Sequence, residues 1–371
     1  MPLYLTDDQT MLRDTARDFM AAEGAIATQL RHWRGINCKD GFGHGLWKQF
    51  AEMGFTGILI DEAEGGLGLG HVEAGIVLEE IGRNLTPSPF LMTALAFVEA
   101  VKGTTHAARW YPGILAGETV AALALDEGAK HRPEAIAMRA ERAGNGFKLS
   151  GAKQFVVQGA SADVTLVAAQ ADEGLTLFAV EKGMAGLEVE GVRLADSSIG
   201  ARLTFADVEV DADAVVGEMG GGAAVLSRVL KAGRTGAAAE LVGLGTAAMD
   251  MTVDYLKQRK QFGRLIGEFQ ALQFRSAHLY SELEIARAAT LKAQQLLDEG
   301  SENAEAMVSV AKAKAGRASQ LAVQEGVQMH GGIGMTDEYD IGLYMKRDRV
   351  LNELFGDANY HADRLARLKG Y

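Results

Sequence analysis

Between Ala224 and Met329 apolar residues recur at helical spacing through three stretches, 224–258, 269–299 and 302–329, separated by short connections. A fourth such pattern begins near Glu338. Long helices joined by short turns pack as antiparallel neighbours, so this part of the chain is predicted to be a helical bundle. No other feature restricts the fold as much, because each helix must bury an apolar stripe against the next.

Upstream the period changes. From about residue 117, TVAALAL, GFKLSGAKQFVVQG, DVTLVAAQ, LTLFAVE, GLEVEGVRL and ARLTFADVEV are short runs with strand-like alternation. GNG (144–146) and EKG (181–183) punctuate them, and EMGGG (218–222) ends them. Short strands at this spacing predict a small barrel or sandwich. The first third reads helical again. Thr6 with Gln9 three residues on is a capping box, followed by Met11, Leu12, Ala16 and Phe19 at helical spacing. GLWKQFAEMGF places Leu46, Phe50 and Met53 on one helix face. EGGLGLG (64–70) is a turn, VEAGIVLEEIGRNL a longer helix, and TPSP (86–89) its break. The order is α, then β, then α. The expected domains are a helical one (1–116), a β-barrel (117–221) and a helical bundle (222–371), with the flanking helices packing as one body around an inserted β module.

Composition narrows the class. The 371 residues carry a net charge of -12, which argues against a nucleic-acid partner, since that needs a basic face. With 48% hydrophobic and 23% charged residues the chain has enough apolar material for a sizeable core. Cys38 is the single cysteine, so an internal disulfide and a cysteine zinc cluster are both excluded, and no metal is expected. A reducing, cytoplasmic setting fits. The N-terminus lacks the basic-then-apolar order of a signal peptide, and no run of about 18 apolar residues offers a membrane span.

Two segments carry chemistry. RKQFGRLIGEFQ (259–270) links two long helices; it reads either as an exposed turn or as a phosphate clamp, because arginine forks bind phosphate oxygens and the next helix start adds amide donors. QMHGGIGMTDEY (328–339) follows the third helix. Its glycines end a helix or let backbone approach a flat ligand, but no strand precedes them, so they are not the dinucleotide fingerprint.

Together with LTDDQTMLRDTARDF, LWKQFAEMGFTGI, EGGLGLG and VLEEIGRNL, in order over nearly the whole length, these segments resemble the acyl-CoA dehydrogenase family. VDYLKQRKQFG, HGGIGMT and LFGDANYHADRLARL look like its bacterial subgroup of pimeloyl-CoA and steroid side-chain dehydrogenase subunits. The resemblance implies an N-terminal helical domain, a middle β-barrel, a C-terminal four-helix bundle, and FAD between barrel and bundle. It implies an acyl-CoA substrate, electron export to an electron-transfer flavoprotein, and a homodimer, homotetramer or heterotetramer. It places Arg259, Gln261 and Phe262 on the FAD pyrophosphate of a neighbouring subunit, Gln328, Gly331 and Gly332 along that dinucleotide, and Phe155 and Val157 beside the isoalloxazine ring. Two departures stand out. Leu125-Asp126-Glu127-Gly128 replaces a Thr-Glu-Pro-Gly segment, and Val157 stands where relatives often have a hydroxyl. These keep open a half-site partner subunit, and an oxidase or monooxygenase stays open because fold does not fix function.

The resemblance also implies a carboxylate that takes the substrate α-proton. Many relatives carry it in Tyr-Glu-Gly near the C-terminus, where this chain has Leu354, Phe355, Gly356 and Asp357, so Gly356 falls at the glutamate. Others carry it on the first bundle helix. Stepping by three and four there gives Leu226, Leu230, Gly233, Ala237, Glu240, Leu244 and Ala247, an apolar face bearing one carboxylate. Glu240 is therefore the expected base and Asp357 the runner-up, with a turn or helix-cap role the more natural one for Asp357. Gly233 would leave room for an acyl chain, Phe355 would line it, and Arg234 would meet a distal carboxylate or simply the bundle surface. His330 and His361 are expected to be structural, and His278 a packed helix residue.

Overall fold

Helix α1 (Asp7–Ala22) opens with the capping box: the Gln9 amide donates to the Thr6 hydroxyl at 3.2 Å, and the Thr6 amide to the Gln9 side chain at 3.0 Å. Of its apolar residues Ala16 and Met20 are buried, whereas Met11 is 69% exposed. The computed structural model describes residues 3–371. After α1 come α2 (Leu30–Gly35), α3 (His44–Glu52) and α4 (His71–Asn84). A π-helical stretch (Leu91–Phe97) runs into α5 (Val98–Val101), and α6 (Thr105–Leu115) follows. The strands are β1 (Ala121–Ala124), β2 (Arg139–Ala143), β3 (Gly146–Val157), β4 (Val164–Ala171), β5 (Gly174–Glu181), β6 (Leu187–Arg193) and β7 (Ile199–Asp211). Then come α7 (Gly222–Gln258), the hairpin β8 (Lys260–Gln261) and β9 (Arg264–Leu265), α8 (Gln270–Asp298), α9 (Ala304–His330), α10 (Ile341–Glu353) and α11 (Ala358–Leu368).

The described residues form two units. One gathers the chain through Thr28, His71–Thr86 and Arg234–Tyr371; the other gathers Gln29–Gly70 and Pro87–Gly233. α1 and α4 join the bundle, while α2, α3, α5 and α6 join the strands.

In the strand-bearing unit one seven-stranded sheet runs β1-β4-β2-β3-β7-β6, with β5 on β4. β1 and β2 pair β4 in parallel; the remaining pairings are antiparallel. The expected closed barrel is instead a curled half-barrel, since the pairing path ends at β6 without returning to β5 or β1. β2 was not foreseen: Arg-Ala-Glu-Arg-Ala buries one residue and has no apolar alternation to read. β3 is irregular at Leu149/Gly151 and again at Lys153/Val156.

In the bundle unit α7 is buried on every side between Arg234 and Gly245, not along one face. Two glycines allow this. A Cβ on Gly82 of α4 would overlap the Glu240 carbonyl, and one on Gly243 would overlap the Glu79 carbonyl. Gly82→Ala is expected to cost about 1–3 kcal/mol through overpacking. Gly45→Ala, which meets no neighbour, serves as control in the same thermal unfolding series. No described helix is long and apolar enough to cross a membrane.

Candidate active site

Glu240 is 2% exposed, midway along α7. Arg347, on α10, donates to its Oε1 through Nε at 2.8 Å and Nη2 at 2.6 Å. The carboxylate on this apolar face has a guanidinium counter-charge. Arg234, on the same helix, is itself only 1% exposed.

Arg234 has a different task from the one expected of it. Its Nε donates to the Phe355 carbonyl at 3.3 Å and its Nη2 to the Tyr360 hydroxyl at 3.0 Å, with the guanidinium 5.4 Å from the Tyr360 ring centre. Burial pushes it down to about 10, offset in part by Tyr360, so it remains a cation at neutral pH. It braces the turn after α10. Phe355, 4% exposed, sits in that turn at φ 60, a conformation costly for a bulky side chain. His361 Nε2 lies 3.1 Å from the Phe355 carbonyl, so two side chains hold the strained peptide. Asp357 accepts from the Tyr360 amide at 2.8 Å and caps α11. Gly356 has φ 100, and a Cβ there would collide with the Tyr360 ring. Gly233 is buried within α7.

Lys312, on α9, is the residue that sequence reasoning missed in this turn. It is 1% exposed and donates to the carbonyls of Leu351, Asn352 and Gly356 at 3.0, 3.2 and 3.0 Å, neutralising the C-terminal end of α10. Burial pushes its ammonium from the ordinary 10.5 down to about 7. Between those values the unfolded chain binds more protons than the folded one, so this group's contribution to stability rises with pH from about 7 to 10.5. The melting temperature of the parent relative to Lys312→Met is therefore expected to climb between pH 7 and 10. A constant difference would contradict that sign. Arg347 and Tyr360 were missed too. Arg347 lies 107 residues from Glu240 in the chain, inside a run of charges that reads as a solvated face.

The residues foreseen for a cofactor are distributed as follows. Phe155 is half-buried at φ 53 on the β3 irregularity, where bulges re-aim side chains, while Val157 is 6% exposed. The segment 125–128 is held by its own acids. Glu127 takes the Lys153 ammonium at 2.7 Å and the amides of Ala137 and Met138, and Asp126 lies 3.0 Å from His131. Burial alone would raise Glu127, but Lys153 and those amides hold it below its ordinary value. Arg259, Gln261 and Phe262 stand exposed on the β8–β9 hairpin, whose tip residues Phe262 and Gly263 both have positive φ. Phe262 is 88% exposed. Gln328, Gly331 and Gly332 are exposed as well, with nothing near a Cβ on either glycine. Outward-facing donors, open glycine backbone and an exposed strained aromatic fit a dinucleotide clamp. His330 lies between Tyr255 and Tyr339, its Nδ1 on the Gly326 carbonyl at 2.7 Å; burial lowers it and keeps it neutral. His278, expected to be packed, is exposed on α8. Among the described residues no group of His, Cys, Asp and Glu could hold a metal ion.

Comparison with known proteins places this arrangement. The acyl-CoA dehydrogenase N-terminal domain matches residues 6–118 and the C-terminal domain residues 220–369. The mitochondrial isovaleryl-CoA dehydrogenase of Solanum tuberosum is 33% identical over 326 residues, 83% of this chain and 78% of that protein. The cyclohex-1-ene-1-carbonyl-CoA dehydrogenase of Geobacter metallireducens is 31% identical over 376 residues, 96% of each chain. A solved steroid ACAD, Tcur3481-Tcur3483, superposes with a TM-score of 0.90 at 29% identity, covering 98% of both chains. Matched at both ends and along almost its full length, the chain belongs to the acyl-CoA dehydrogenases, flavoprotein oxidoreductases that act on acyl-CoA.

Proposed function

We propose that this chain removes one hydrogen from each of Cα and Cβ of a saturated acyl-CoA, giving the trans-2-enoyl-CoA, with Glu240 taking the α-proton. The observation that carries the assignment is the contrast between two positions. Glu240 is a buried carboxylate with a counter-charge, while Gly356 bears no side chain and Asp357 is engaged as a helix cap. An ionised carboxylate out of water is the form that accepts a proton from carbon. FAD, when bound, accepts the hydride leaving Cβ. Phe155 and Val157 would lie beside its ring, Arg259, Gln261 and Phe262 would reach the FAD pyrophosphate of a neighbouring subunit, and Gln328, Gly331 and Gly332 would lie along that dinucleotide. An electron-transfer flavoprotein would then reoxidise it.

A second reading has its own support. The clamp residues face outward, and Val157 offers no hydroxyl, which suits a subunit that completes its cofactor site with another chain. One experiment separates the two. The purified chain is supplied with FAD, its visible spectrum recorded, and fatty, dicarboxylyl and steroid side-chain acyl-CoAs added without oxygen. A flavin band that one of them bleaches supports the self-sufficient dehydrogenase. A protein that stays colourless until a companion chain is added supports the half-site partner. A flavin band that no acyl-CoA bleaches, with or without a companion, refutes the proposed reaction.

A further inference from the structure

Glu240 poses an electrostatic problem that its role as base, on which this inference rests, does not solve. At 2% exposure an ionised carboxylate without compensation takes up a proton, and a protonated glutamate accepts none from substrate. Arg347 supplies the compensation. Two of its donors converge on Oε1, and its side chain, 22% exposed, reaches toward water at the bundle surface. A guanidinium does not lose its proton in proteins, so the counter-charge is permanent.

Several charged groups on these helices have partners of their own. On α4, Glu79 pairs with Arg287 at 2.8 Å, Glu80 with Arg17 at 2.9 Å, and Arg83 with Asp250 at 2.8 Å. On α10, Asp348 accepts from Ser319 and Asn352, and the Tyr344 hydroxyl, which burial keeps protonated, donates to the Arg83 carbonyl at 2.6 Å. On α7, Arg234 is committed to Phe355 and Tyr360. α10 is itself anchored, since Lys312 holds the carbonyls at its end.

We propose that Arg347 is a positioning residue: its fixed charge keeps Glu240 ionised inside the bundle, ready to take a proton from a substrate carbon. Proton uptake converts the ion pair to a neutral acid beside a guanidinium. Release of that proton to solvent restores the pair and resets the base.

The test reads ionisation and turnover separately, on flavin-loaded protein with its companion chain where one is needed. Infrared difference spectra compare Arg347→Gln with the Arg347→Gln/Glu240→Gln double variant at pH 7. A protonated-carboxyl stretch that requires Glu240 is expected, and none is expected between the parent and Glu240→Gln. Flavin reduction in Arg347→Gln should fall at least about tenfold at pH 7 and recover as pH is raised. Arg347→Lys, which keeps the charge but loses the fork, should leave Glu240 ionised at pH 7 with its infrared titration midpoint moved upward. It also serves should the glutamine variant not fold. No protonated carboxyl in Arg347→Gln, or an unmoved midpoint in Arg347→Lys, overturns the inference. Undiminished reduction in Glu240→Gln sinks the base reading instead and leaves the infrared result standing on its own.

Discussion

Glu240→Gln is expected to fold, to bind flavin as the parent does, and to be reduced by acyl-CoA about 10²–10⁴ times more slowly, the range general-base removal gives. The substitution keeps the side-chain volume, and the glutamine oxygen still accepts from Arg347. What is lost is the charge on a hydrogen-bonded pair, a change of about 1–2 kcal/mol in stability. The kinetic loss is large because the runner-up carboxylate is engaged as a helix cap. Asp357 is spent on the α11 amide, and Gly356 has no side chain to offer. Anaerobic rapid-mixing measurement of flavin bleaching, alongside flavin content and melting temperature, checks the three parts independently. Reduction at the parent rate in a folded, flavin-loaded variant would return the search for the base to the start.

The elements of this chain were legible where periodicity is strong. The three long bundle helices, the capping box at Thr6 and six of the seven strands of the main sheet lie where alternation and turn residues place them. β2 escaped because three of its five residues are charged and exposed and one is buried, so no apolar alternation was written into them. The half-barrel depends on which distant strands pair, which local pattern does not encode. The site divides in the same way. Glu240 stood out as a lone carboxylate among small apolar residues, and the Asp357 cap is a local three-residue motif. Arg347 and Lys312 act across 107 and about 40 residues respectively, and in sequence a cation destined for burial looks like one destined for solvent. Arg234 differs from a surface cation for the same reason: it is buried and turned onto Phe355 and Tyr360.

Returning a carboxylate to the position it holds in many relatives is expected to fail. Gly356→Glu must place a Cβ where the Tyr360 ring lies, at a φ of 100 that side-chain-bearing residues rarely adopt. Backbone strain and overpacking together amount to roughly 2–6 kcal/mol. Relief by swinging Tyr360 away makes matters worse, because its hydroxyl and ring are partners of Arg234, which is 1% exposed and stays charged. A buried cation stripped of a partner is among the costlier defects a fold can carry. Gly356→Glu should therefore lower the melting temperature by several degrees or more, and Glu240→Gln/Gly356→Glu should remain inactive even where enough folded protein is recovered to load with flavin. Gly356→Ala separates the causes, since it carries the φ strain and the Cβ collision without a carboxylate. If Ala is nearly as destabilising as Glu, the turn itself excludes any side chain. A double variant that is stable and reduced by acyl-CoA would mean that Tyr360 yields easily, and that the location of the base in this chain is a matter of which carboxylate is present and not of how the turn after α10 is built.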